Sequence, residues 1–141
     1  MSKPILFSLT QTPEAPVFCS LYEDMGYEVM QFTTVRKAIG ALRKHKPKVV
    51  IAQFLYAYSN NYASNHISNL DTLLITLQTL PGKKPDVIFL CYKEEIGYLE
   101  ELTEHYAGCC STNHALTIPV NKDDMEATLK THIICSSSNL I

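Results

Sequence analysis

Two kinds of segment alternate along the whole chain. Short apolar runs occupy Pro4–Leu9, Tyr27–Phe32, Lys48–Phe54, Asp86–Cys91 and His114–Ile118. The first, third and fourth are almost continuously apolar, the pattern of strands covered on both faces. The second alternates, which suits a strand nearer the edge of a sheet. Between the runs, apolar residues recur at helical spacing. Phe18, Leu21, Tyr22 and Met25 form one stripe, closed by Gly26. Val35, Ala38, Ile39 and Leu42 form the next, with Thr33 and Thr34 as candidate N-caps. Leu70, Leu73, Leu74 and Leu77 follow, with Asn69 as candidate cap and Pro81-Gly82 as a stop. Ile96, Leu99, Leu102 and Tyr106 run up to Gly108, and Met125, Leu129 and Ile133 follow Asn121. These stripes read as helix faces packed on a sheet rather than as binding sites.

Strands alternating with helices through short connections imply parallel pairing and right-handed crossovers. The predicted fold is therefore α/β, a doubly wound five-stranded parallel sheet in the order 2-1-3-4-5, flanked by five helices. Such sheets place ligands and chemistry at the carboxyl ends of their strands. Here those ends are residues 9–13, 53–56, 91–93 and 118–120. One connection, residues 55–69, is much longer than the usual strand-to-helix loop of about 2–6 residues and is rich in Asn, Ser and Tyr. It reads either as a tolerated surface insertion or as a recognition loop, since Tyr56, Tyr58 and Tyr62 are costly to leave fully exposed. The Ser136–Ser138 run divides the chain into one domain, 1–135, and a flexible tail or linker start, 136–141.

Composition narrows the function classes. With 141 residues, 46% hydrophobic and 18% charged, the chain is long and apolar enough for one buried core. A net charge of −2 gives no general electrostatic case for nucleic acid or an acidic membrane. The apolar segment after Met1 is too short for a signal peptide, and no run approaches the roughly 20 residues of a membrane span. Five cysteines, an odd number, fit reduced thiols and a cytoplasmic location. Neither the adjacent Cys109-Cys110 nor the scattered histidines have metal-ligand spacing. A basic cluster, Arg36, Lys37, Arg43, Lys44, His45, Lys46 and Lys48, reads as a solvated helix face, because no helix-turn-helix accompanies it.

With the strand ends located, the chain resembles the receiver domain of bacterial two-component response regulators, over residues 4 to about 133. The resemblance rests on Pro47-Lys48-Val49-Val50-Ile51-Ala52-Gln53, on the strand from Pro85 to Cys91, and on Gly108 followed by Leu116-Thr117-Ile118-Pro119. Active receivers carry an acidic pair for Mg²⁺ after strand one and a phosphorylatable Asp ending strand three. They also carry a Thr or Ser ending strand four and a Lys ending strand five, three residues after an aromatic switch. Laid on this sequence, the acidic pair falls on Leu9 and Thr10, and the acceptor on Gln53. The hydroxyl falls on Cys91, the lysine on Ile118 and the aromatic on Ala115.

Each of these is a chemical loss. A hard cation prefers carboxylate and water oxygens, and residues 1–13 contain no Asp or Glu. An amide is no nucleophile, and an isoleucine does not pair with a phosphoryl group. The resemblance therefore implies a pseudo-receiver, a phosphorylation-independent protein-interaction module with no enzymatic activity and no cofactor. Its working surface is expected on the fourth-helix, fifth-strand and fifth-helix face, joining a protein partner or a second copy. Glu94, Glu95, Glu100, Glu101 and Glu104 make the outer side of that helix acidic. No direct nucleic-acid or membrane contact is expected.

Two other readings remain at this stage. A flavin or nucleotide phosphate is accommodated over Thr10-Gln11-Thr12, unless Thr12 simply caps the first helix with Pro13 in its first turn. Redox sensing falls on Cys91 or on Cys109-Cys110, against the plainer reading of Cys91 as a buried strand end.

Overall fold

The structure, a computed structural model, describes residues 4–12, 18–55, 70–80, 82, 84–106 and 113–138, with backbone alone for 113 and 131–138. Five strands, β1 (Ile5–Leu9), β2 (Glu28–Phe32), β3 (Val49–Gln53), β4 (Asp86–Tyr92) and β5 (Asn113–Ile118), form one sheet in the order β2-β1-β3-β4-β5. All four pairings are parallel. The connecting helices are α1 (Cys19–Asp24), α2 (Val35–Leu42), α3 (Asp71–Thr79), α4 (Ile96–His105) and α5 (Lys122–Ser138), with a 3₁₀ turn at Lys93–Glu95 before α4. The predicted topology is the observed one.

Alternation along each strand decides which layer a residue joins. Phe7, Leu9, Val50, Ala52, Phe89 and Cys91 pack with the stripes of α2, α3 and α4. Leu6, Val49, Ile51, Ile88 and Leu90 pack with Leu21 and Tyr22 of α1 and with Met125 and Leu129 of α5. Strands β1, β3 and β4 are thus buried on both faces, which is why their sequences lack a polar side. The edge strands β2 and β5 are half-exposed.

Helices α2 and α5 begin, and α1 ends, at their sequence signals. Thr34 Oγ1 accepts from Lys37 N at 3.3 Å and caps α2. Asn121 Oδ1 accepts from Asp124 N at 2.8 Å at the start of α5. Gly26, with φ of +95°, turns the chain out of α1 in a conformation that favours glycine. Asn69 and Gly108 lie outside the described residues, as do Tyr56, Tyr58 and Tyr62 of the long connection. Helix α5 continues to Ser138, three residues past the boundary expected at 135.

A buried polar contact joins the start of α3 to the end of α4. Asp71, in the first turn of α3, is fully buried, and the Tyr106 hydroxyl just beyond α4 donates to its Oδ2 at 2.8 Å. A buried carboxylate needs such donors. Burial, and then the adjacent Asp71 carboxylate, push the Tyr106 phenol up to about 12. The stability this gives is complete below the ordinary tyrosine value near 10 and is lost as pH rises through about 12. Tyr106→Phe is expected to cost about 1–3 kcal/mol in urea unfolding at neutral pH. It should also flatten part of the alkaline decline. An unchanged midpoint would show that the contact contributes nothing to stability.

Candidate functional site

The carboxyl ends of the strands meet at Gln53, the last residue of β3. It is fully buried at the end of an otherwise apolar strand, so its amide must find partners. Because β1 lies beside β3, the segment leaving β1 is within reach. Gln53 Oε1 accepts from the backbone N–H of Gln11 at 2.7 Å and of Thr12 at 3.0 Å. Its Nε2 donates to Thr12 Oγ1 at 2.6 Å. The amide orientation follows from this network, since the flipped form would set an NH₂ group against two N–H donors.

The structure brings only some of the sequence-derived positions to this point. Leu9 is fully buried in the core beneath α2, α3 and α4. Thr10 is half-buried, and its N–H donates to Phe32 O at 3.1 Å, continuing the β1–β2 ladder. The residues that meet Gln53 are Gln11 and Thr12, one and two positions further on. The expected capping by Thr12 is also corrected, because the described α1 starts at Cys19 and the Thr12 hydroxyl is engaged by Gln53. Pro13 lies outside the described residues.

These contacts bear directly on the phosphate-binding reading. The N–H groups of Gln11 and Thr12, the donors an incoming phosphate would use, already serve the Gln53 oxygen. Ile118 is half-buried against the α1–α5 layer, and the peptide joining it to Pro119 is cis. Cys91 is fully buried beneath the α2–α4 layer. Burial, and then the nearby Glu95 carboxylate, push its thiol up to about 11. It is therefore a protonated thiol at neutral pH and a poor nucleophile. Cys109 and Cys110 lie outside the described residues. Among the described residues, no group of three or more His, Cys, Asp and Glu side chains is placed to hold a metal ion.

On the neighbouring face, Glu94, Glu100, Glu101 and Glu104 are exposed, as expected of an acidic outer side of α4. Glu95 departs from that expectation. It is half-buried, and its charge is felt at the Cys91 thiol. Glu94 and Glu95 belong to the 3₁₀ turn before α4 rather than to the helix itself. Tyr98, 40% exposed, lies on α4 between that turn and Glu101, and was not singled out in the sequence. The signal was its place off the Ile96, Leu99, Leu102 stripe. Ala115 and Thr117 of β5 are also exposed. They are register partners of Phe89 and Cys91, and so lie on the α4 side of the sheet.

No family model matches the chain, and no curated protein matches it. Solved structures do. A CheY-like response regulator receiver domain from Methylobacillus flagellatus is 18% identical with a TM-score of 0.64, covering 92% of this chain and 98% of that one. A CheY-like receiver domain protein from Methanospirillum hungatei JF-1 is 11% identical with a TM-score of 0.67, covering 98% and 99%. A Burkholderia pseudomallei response regulator, solved with a phosphorylated aspartic acid, a calcium ion and citrate, is 16% identical with a TM-score of 0.59, covering 96% and 72%. The chain has the fold of a CheY-like receiver domain. At these identities the likeness is one of fold, so the chemistry must be read from this chain's own residues. In this receiver-like fold the carboxyl end of β3 holds a neutral amide bonded to Gln11 and Thr12 of the segment that leaves β1.

Removing that amide should be costly. Gln53→Ala leaves the N–H groups of Gln11 and Thr12 without their acceptor, and a stability loss of about 2–4 kcal/mol is expected. Thermal and urea unfolding measure it, and a loss below about 0.5 kcal/mol, the size of an ordinary surface change, would refute the clamp.

Proposed function

We propose that this chain is a phosphorylation-independent, receiver-like regulatory module that docks a protein partner through the face built by α4, β5 and α5. The observation that carries the reading is the buried Gln53 amide, bonded to Gln11 and Thr12. An amide forms no acyl phosphate, and its oxygen is capped by two backbone donors. Residues 1–13 supply no carboxylate for a metal. The Burkholderia neighbour carries its phosphate on an aspartic acid; this chain offers no carboxylate at the end of β3.

The docking part of the reading rests on α4. An exposed aromatic ring among four exposed carboxylates combines a contact residue with charges that orient a basic partner. The small Ala115 and Thr117 leave the adjoining strip of β5 open. Among the described residues no helix is long and apolar enough to cross a membrane, and the role proposed needs no membrane contact, cofactor or catalytic group.

Incubation with acetyl phosphate and Mg²⁺, followed by intact mass, should leave the protein unmodified. Gln53→Asp alone should stay unmodified as well, because the metal carboxylates and the lysine are still missing. A phosphoryl adduct at position 53 in that variant would overturn the reading. For the docking face, Glu100→Lys with Glu101→Lys should weaken self-association or partner capture about ten-fold or more. Stability should stay within about 0.5 kcal/mol, since both side chains are exposed. Unchanged sedimentation velocity and pull-down in the double variant would rule this face out.

A further inference from the structure

At the end of the sheet opposite Gln53, a cleft of about 500 Å³ opens where β3 and β4 begin and where α2 and α3 end. Its size falls in the range of small-ligand sites, about 300–1,000 Å³. Leu42, Leu77 and Leu80 and the two prolines Pro47 and Pro85 give it an apolar floor. Its rim is basic. Arg43, Lys46 and Lys48 all line it and all have exposed side chains. None of the three forms an ion pair among the described residues.

A helix carboxyl terminus ordinarily repels anions, and two helices end here. Lys84 offsets this for α3, because its Nζ donates to the carbonyls of Leu77 at 2.7 Å, Gln78 at 3.1 Å and Leu80. The lining includes one carboxylate, Asp86, against four cations. That concentration of positive charge stands out in a chain of net charge −2. An apolar floor beneath a cationic rim is complementary to one kind of molecule.

We propose that this cleft binds a small amphiphile, an apolar body bearing a single anionic head group such as a carboxylate, sulfonate or phosphate. The body lies on Leu80 and the prolines, and the head group meets Arg43, Lys46 and Lys48. The site is independent of the α4 face and of the Gln53 clamp.

The test is a fluorescence titration of the full chain with 8-anilinonaphthalene-1-sulfonate, beside its neutral relative N-phenyl-1-naphthylamine. Saturable one-site binding of the sulfonate is expected. In Arg43→Glu with Lys46→Glu, two exposed positions, its affinity should fall about ten-fold or more, while the neutral probe changes less than about two-fold. Leu80→Trp, which fills the cleft without changing its charge, should weaken both probes. Decanoate or decyl phosphate should displace the sulfonate, and the better competitor identifies the head group. Four probe-binding results would overturn the proposal. They are unsaturable binding, an unchanged affinity in the charge-reversed variant, equal losses for both probes in it, and displacement by inorganic phosphate alone as effective as by the amphiphiles. Self-association lost in the same variant, with no probe binding in the wild type, would assign the cleft to a second copy and also overturn it.

Discussion

Gln53 has its side chain wholly out of water at the point where a doubly wound sheet places its chemistry. An amide there has to satisfy an oxygen and an NH₂ group, and leaving either bare costs about 1–3 kcal/mol. The segment leaving β1 supplies two N–H donors and a hydroxyl. These bonds join the end of β3 to the segment leaving β1 through neutral groups. The same contacts that hold the strand ends together remove the donors an anion would use.

The neighbouring positions reinforce that neutrality through packing. Leu9 and Cys91 are buried beneath the α2–α4 layer, and Ile118 leans on the α1–α5 layer. Apolar side chains at these strand ends extend the core to the carboxyl edge of the sheet. The burial that raises the Cys91 thiol is part of this extension. Acid lies on α4 and base at the amino-terminal end of the sheet, on separate surfaces. Single exposed charges contribute little to stability, about 0–1 kcal/mol per pair, so each surface is open to selection for binding.

Most of the architecture was legible in the sequence. Strands buried on both faces have no polar side, so β1, β3 and β4 stood out as near-continuous apolar runs, and β2 stood out by its alternation. Helix stripes recur every three or four residues whatever lies opposite them, and the caps at Thr34 and Asn121 act within one turn. The absence of a carboxylate before residue 14 is a property of the sequence alone.

The particular partners depended on tertiary structure. That Gln53 meets Gln11 and Thr12 rather than Leu9 and Thr10 depends on where the chain turns after β1, a matter of one or two residues that periodicity does not resolve. Asp71 and Tyr106 lie 35 residues apart and join only because α3 and the end of α4 share one core layer. The inward turn of Glu95, the exposure of Tyr98 and the cleft below α2 and α3 likewise arise from how helices sit on the sheet. Local periodicity and composition are carried by neighbouring residues and survive in the bare sequence. Contacts between distant segments, and the spaces left between them, exist only once the layers have packed.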